Sequence, residues 1–225
     1  ISDIDVDRLH DTLVGFHITP EYLRTFDQAA ATPEGQERLR SSVEAEHCQR
    51  FVEEHREWCT ILEDAKDRGE LSLRPIHGDP KIANIMIDDA TGKGTCIVDL
   101  DTVKPGLIHY DVGDCLRSCC NPAGEEALDL SQVFFDTDLC DSIVSGYMAH
   151  ARSFLTDADR HHLYDAARLI AFELGLRFFA DFVAGDVYFK VRYDGQNLNR
   201  ARVQFRLTES IEQRERIIRK TLDKA

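Results

Sequence analysis

Apolar residues recur at helical spacing along most of this chain, and the pattern breaks into short apolar runs only near its middle. Residues 4–14 form an acidic amphipathic stretch. Over 21–30, and again over 35–68, apolar positions return every three or four residues, which turns one face of a helix inward. Val43, Phe51, Trp58, Ile61 and Leu62 are expected on that inward face, with Gly69 as the stop. Further helices are expected over 111–120, 139–154, 157–184 and 197–222. Between about 76 and 101 the runs Ile85-Met86-Ile87 and Cys96-Ile97-Val98 are separated by Asp88-Asp89-Ala90-Thr91-Gly92-Lys93-Gly94, which reads as a β-hairpin. The expected class is therefore mainly α, formally α+β, with one small hairpin.

The residues on either side of that hairpin carry the candidate chemistry. His77-Gly78-Asp79-Pro80-Lys81-Ile82-Ala83-Asn84 leads into the first run, and Val98-Asp99-Leu100-Asp101 closes the second. Phosphoryl transfer needs a base beside the acceptor hydroxyl, a cation, and oxygen ligands for a metal ion, all held in position. Asp79 is placed to accept the proton, Lys81 to sit over the transferring group, and Asn84 and Asp99 to hold Mg²⁺, a hard cation that prefers oxygen. Asp101 and Asp111 are expected to support the loop. Pro80 disfavours helical geometry at Asp79, and the hairpin would return Asp99 towards Asn84. Taken singly, each Asp or Asn is an ordinary turn former. It is their joint spacing that points to a kinase-type site. The Asp-rich turn lacks the alternating oxygen ligands and closing Glu of a calcium loop.

Composition narrows the partners. The 41 acidic against 27 basic residues give a net charge of −14, which argues against nucleic acid or an anionic membrane surface and leaves a small-molecule substrate. No apolar run approaches the length of a membrane span and no signal peptide is seen, so a cytoplasmic location is expected. The seven cysteines form no C-x-x-C pair and no zinc-type array, which suggests reduced thiols; Cys115 and Cys119 would share a helix face and are read as small hydrophobes. Asp111 and Asp114 are explicable as carboxylates at a helix start. Gly185-Asp186-Val187-Tyr188-Phe189-Lys190 interrupts two long helices and reads equally as a binding loop or a turn. His161-His162 is expected on a solvated face.

The stretch from His77, together with Phe16-His17-Ile18-Thr19-Pro20, Ile97-Val98-Asp99-Leu100-Asp101-Thr102-Val103, Pro105-Gly106, residues 110–117, the loop 185–190 and Asn197-Leu198-Asn199-Arg200-Ala201-Arg202, resembles the aminoglycoside phosphotransferase and choline kinase family. Within it the chain is most similar to the N-acetylhexosamine 1-kinases. The resemblance implies a protein-kinase-like fold in which residues 1–225 form the helical carboxy-terminal lobe, with the hairpin carrying the catalytic and metal residues. It also implies phosphoryl transfer from ATP, with Mg²⁺, to the anomeric hydroxyl of an N-acetylhexosamine. Asp79 is then the base, Asn84 and Asp99 the metal and cofactor ligands, and Arg177 and Tyr188 sugar contacts. No glycine-rich strand-turn-strand or nucleotide-gripping lysine precedes the catalytic loop, and Ile1 is not an initiator Met. The amino-terminal nucleotide lobe is therefore expected to be absent, and the chain alone to have little or no activity.

Apart from the resemblance, Arg177 reads as an ion-pair partner of Glu173 or Asp181, each four residues away. An aminoglycoside, choline or homoserine acceptor belongs to the same class. A non-catalytic kinase-like binding module belongs to another, although the joint presence of Asp79, Asn84 and Asp99 speaks against it. A metal-dependent phosphohydrolase would need a denser set of His and Asp ligands.

Overall fold

The structure, a computed structural model, describes residues 4–224, among which there are ten α-helices and four short strands. Residues 4–14 do not make a helix. They form one 3-10 turn, Val6–Arg8, and then turns, because Asp5 and Asp11 each accept a nearby backbone N–H at 3.1 Å and so favour local loop geometry. Helix α1 (Thr19–Ala30) starts with Pro20 in its first turn. The periodic stretch 35–68 is three helices, α2 (Pro33–Leu39), α3 (Val43–His55) and α4 (Ile61–Asp67). Thr32 starts α2 by accepting the Gly35 N–H at 3.0 Å; the first break comes at the cap Ser42, which accepts the Ala45 N–H at 3.1 Å, and the second at the 3-10 turn Arg56–Trp58. Val43 consequently sits in the first turn of α3 and is 75% exposed rather than inward, whereas Phe51 and Leu62 are buried and Trp58 and Ile61 half-buried.

Helices α5 (Ile108–Cys119), α6 (Thr137–Ala151), α7 (Asp157–His161), α8 (Leu163–Ala184), α9 (Gln196–Gln213) and α10 (Glu215–Lys224) complete the helical body. The expected helix over 157–184 is divided at His162 into the short α7, started by a capping box between Thr156 and Asp159, and the long α8. His162 is buried against Asp165 at 3.2 Å instead of solvated, while His161 is exposed. Apolar on nearly every side, α8 is the central element and packs against α1, α5 and α9. Gly113 allows α5 to approach closely, since a Cβ there would lie 2.6 Å from the Ala166 carbonyl oxygen. This contact carries Asp111 beneath the loop that follows β1, to which it hydrogen-bonds.

The strands are β1 (Arg74–Ile76), β2 (Ile85–Ile87), β3 (Gly94–Ile97) and β4 (Lys104–Gly106). β2 and β3 pair antiparallel, with Ile85 opposite Ile97. β1 and β4 form a second antiparallel pair, with Ile76 opposite Lys104, so the loop from His77 leaves one end of that ladder and the 3-10 turn Leu100–Thr102 re-enters it. All seven cysteines are free thiols, with Cys115 and Cys119 half-buried and Cys96 exposed on β3. Among the described residues no helix is long and apolar enough to cross a membrane.

Candidate active site

The loop that follows β1 is held by its backbone. Gly78 has φ +86°, and a Cβ there would meet the Thr102 carbonyl oxygen at 2.7 Å, so only glycine fits the turn. Asp111 on α5 accepts the N–H groups of His77 and Gly78, each at 2.8 Å. Its carboxylate therefore serves a loop more than thirty residues upstream and does not cap its own helix. Burial pushes the Asp111 carboxyl above the usual carboxylate range, against the downward pull of those two amides. Asp114 likewise turns away from the helix start and accepts from Arg117 Nε at 2.8 Å. Thr102 donates its hydroxyl to the His77 carbonyl at 2.8 Å.

His77 links the loop to the hairpin. Its Nδ1 accepts the Asp79 N–H at 3.2 Å, which leaves Nε2–H to donate to the Val98 carbonyl at 3.1 Å. Val98 in turn donates its N–H to the Asn84 carbonyl at 2.9 Å. These bonds join the end of β3 to the loop 77–84 immediately before Asp99.

Asp79 is half-buried, and its Oδ2 receives both the Lys81 ammonium and, at 3.2 Å, the Asn84 Nδ2. Its Oδ1 takes no hydrogen bond among the described residues. Asn84 is buried and also donates Nδ2 to the Asp79 carbonyl at 2.8 Å, which leaves its own Oδ1 free among them. Asp99 is exposed, holds the left-handed φ of +65°, and has no hydrogen bond to its carboxylate among the described residues. Positive φ in a residue with a side chain is uncommon, and such strain concentrates at functional positions. The Asn84 Oδ1 and the Asp99 carboxylate, which follows Val98 and its bond to the Asn84 carbonyl, are hard oxygens of the kind Mg²⁺ takes, since it keeps several waters and needs few protein ligands. Among the described residues no cluster of three or more His, Cys, Asp and Glu is arranged for a metal ion, so the fit rests on Asn84 with Asp99. Asp101 contributes less than expected: its backbone carbonyl accepts from Thr12 at 2.6 Å, but its carboxylate supports nothing in the loop.

A family model for the phosphotransferase enzyme family matches residues 2–136, which takes in the loop, both strand pairs and Asp111. The chain belongs to this family. Arg177 and Tyr188 lie beyond the matched residues.

In this phosphotransferase a cleft of about 340 Å³ opens beside Asp79 and Lys81 and is walled by Phe178, Phe189 and Arg177. The Arg177 guanidinium lies over the rings of Tyr22, Phe16 and Phe189, with centroids at 4.9, 5.1 and 5.6 Å. Neither of its expected ion-pair partners is available. Glu173 is taken by His17 and Thr19, at 2.9 and 2.6 Å, and Asp181 accepts the backbone N–H groups of Val187, Tyr188 and Phe189 at 3.0, 2.8 and 2.9 Å. Arg177 has no ion pair or hydrogen bond among the described residues. Asp181, aided by Asn197 at 2.9 Å, fixes the 185–190 loop as a built structure. That loop sends Phe189 into the cleft, while Tyr188 is 67% exposed and lines an adjoining cleft of about 300 Å³ that Arg177 also borders. Asp79, Lys81 and Arg177 thus share one cleft, Asn84 joins them through Asp79, and Tyr188 and Asp99 stand outside its walls. A mostly apolar cleft of about 350 Å³, bordered by Pro80, is lined by Tyr147, Cys115 and Asp111 among apolar side chains, and both Asp111 oxygens are engaged by the loop.

Sequence reasoning named no site role for His17 and read Glu173 only as an ion-pair partner of Arg177; both lie buried in the phosphotransferase. A single acidic residue amid the apolar run Leu169–Leu176 was the available signal, since an ionisable group buried in a core requires a partner.

Proposed function

We propose that this phosphotransferase is a small-molecule kinase that transfers a phosphoryl group from Mg²⁺-bound ATP to a hydroxyl, with the anomeric hydroxyl of an N-acetylhexosamine as acceptor. The observation that carries this reading is a cleft lined by both Asp79, whose Oδ1 is free among the described residues, and an Arg177 that is unpaired among them and lies against aromatic rings. Asp79 orients the acceptor hydroxyl and takes its proton. Lys81 neutralises the developing charge when it moves from Asp79 to the phosphoryl oxygens. Asn84 and Asp99 hold the metal, which when bound offsets charge on the phosphates. Chain 1–225 acts here as the acceptor and metal half of a kinase-like enzyme, with the nucleotide gripped by an amino-terminal lobe.

An uncharged sugar suits this cleft better than a polycation does. Four carboxylates along its lining are matched by four Lys or Arg side chains, so the net charge of −14 is not concentrated there. A few directed hydrogen bonds against an aromatic wall are what a neutral ring with hydroxyls needs.

Two results test the assignment. Arg177→Ala in the full-length protein is expected to raise KM for N-acetylhexosamine about 10- to 100-fold, the worth of a hydrogen bond to a charged group, with KM for ATP changed less than about twofold. A rise in KM for ATP instead, or phosphorylation of an aminoglycoside or choline with hexosamines ignored, would overturn the sugar reading. Asp99→Asn keeps a residue that tolerates left-handed geometry but removes the charge. It is expected to raise the Mg²⁺ concentration for half-maximal activity at least about tenfold. An unchanged Mg²⁺ titration would remove Asp99 from the metal site.

A further inference from the structure

Both ring nitrogens of His17 face acceptors. Nδ1 lies 2.9 Å from Glu173 Oε1 and Nε2 lies 2.6 Å from the Gly78 carbonyl oxygen. A neutral imidazole has one N–H and can serve only one of these, whereas the doubly protonated ring serves both. The second oxygen of Glu173 accepts the Thr19 hydroxyl at 2.6 Å, so both oxygens of that side chain receive donors. His17, Thr19 and Glu173 are all buried, 4%, 1% and 1% exposed, and His17 holds a left-handed φ of +66° that His adopts more readily than most residues.

We infer that His17 is a positioning residue for the catalytic loop, held as an imidazolium by Glu173 so that its Nε2–H fixes the Gly78 carbonyl immediately before Asp79. Gly78 is then clamped at both ends of its backbone, its N–H by Asp111 and its carbonyl by His17. Positioning of this kind is where phosphoryl transfer gains most of its rate, since the reaction asks little covalent chemistry of the protein. A buried ion pair is by contrast a weak source of stability, so the fold alone gives little reason to keep a charge here.

The charged groups around the ring favour the cation. Glu173 approaches from α8, Asp111 and Asp114 from α5, Arg177 stands one turn beyond Glu173, and the Tyr110 ring stacks at 5.4 Å. Burial on its own would lower the imidazole, but Glu173, followed by Asp114 and the Gly78 carbonyl, raises it above its ordinary 6.5. The sign follows from the raised value. Below 6.5 the folded protein has the full benefit of both bonds, and the bond to Gly78 is lost as pH rises through the raised value.

The inference rests on Asp79 as the base, and kcat against pH in the full-length protein tests it. The wild type should lose kcat on an alkaline limb set by His17. Glu173→Gln removes the main group that raises the imidazole and should move that limb down by about one pH unit or more, a tenfold change in the proton affinity of the ring. His17→Asn, which tolerates positive φ and does not titrate, should lower kcat and lose that limb altogether. KM for the acceptor should move less than kcat in both. A limb unmoved in Glu173→Gln, or kept at its wild-type midpoint in His17→Asn, overturns the inference, as does a uniform fall in kcat with the wild-type pH profile in both variants. Failure of the underlying reading is separable, because it appears as unimpaired turnover by Asp79→Asn at every pH.

Discussion

Asp79→Asn in the full-length enzyme is expected to lower kcat by about 10²- to 10⁴-fold, the usual contribution of general-base assistance, with the fold intact. The geometry of the loop explains why the loss falls on kcat. Oδ2 of Asp79 anchors Lys81 and the Asn84 amide, while Oδ1 takes no hydrogen bond among the described residues and Asp79 lines the cleft. Asparagine fits the same space, so the backbone bonds to His77 and Asn84 survive. What disappears is the carboxylate that is proposed to take the acceptor proton and that pairs with Lys81. An interaction made chiefly in the transition state lowers kcat and kcat/KM together and leaves substrate binding nearly untouched. Steady-state kinetics at saturating Mg²⁺ and ATP, with a thermal melt to show that the variant is folded, measure this directly. Turnover within about threefold of wild type by a folded variant would sink the base assignment.

The parts of the site that could be read from sequence are those fixed by local spacing. His77, Asp79, Lys81 and Asn84 lie within eight residues, and β2 and β3 coincide with two short apolar runs around a Gly-rich turn, so their neighbourhood follows from the chain's own reach. Helix positions were legible too, but not their ends. Ser42 starts a new helix inside the stretch 35–68, and His162 divides the stretch 157–184, without disturbing the apolar period, so a periodic pattern read across them merges neighbours into one. The β1–β4 ladder gave no signal, because its strands are three residues long and pair Pro75 with Pro105.

Tertiary partners decided the rest. Arg177 has Glu173 and Asp181 at helical ion-pair spacing, yet each carboxylate is engaged by donors distant in sequence or in a following loop. Local spacing predicts proximity, and it says nothing about competition. Asp111 shows the same effect: near the start of α5 it resembles an ordinary capping carboxylate, and only the packing of α5 on α8 reveals that its oxygens face the backbone of the catalytic loop.

Asp111→Ala should accordingly be among the most damaging single changes in this chain that leave the reacting groups in place. It strands two amides in the buried backbone of His77 and Gly78. Each orphaned donor costs about 1–3 kcal/mol, and relief of the cost of burying the carboxylate offsets part of the sum, so a net loss of about 2–4 kcal/mol is expected. Against the 5–15 kcal/mol that typically holds a domain together, that is a large fraction. Asp111→Asn retains one acceptor oxygen but turns an NH₂ group towards the other amide, and should cost about half as much. Urea unfolding measures both, as a fall in midpoint at constant slope. In the full-length enzyme kcat should drop at least about tenfold, because Gly78 precedes the base and a small misplacement there is costly. The Mg²⁺ dependence separates this support from ligation. For Asp111→Asn the Mg²⁺ concentration at half-maximal activity should move less than about threefold, against the tenfold or greater shift expected for Asp99→Asn. A Mg²⁺ shift as large as that of Asp99→Asn would make Asp111 a metal ligand, and unchanged stability in Asp111→Ala would show that the loop stands without it.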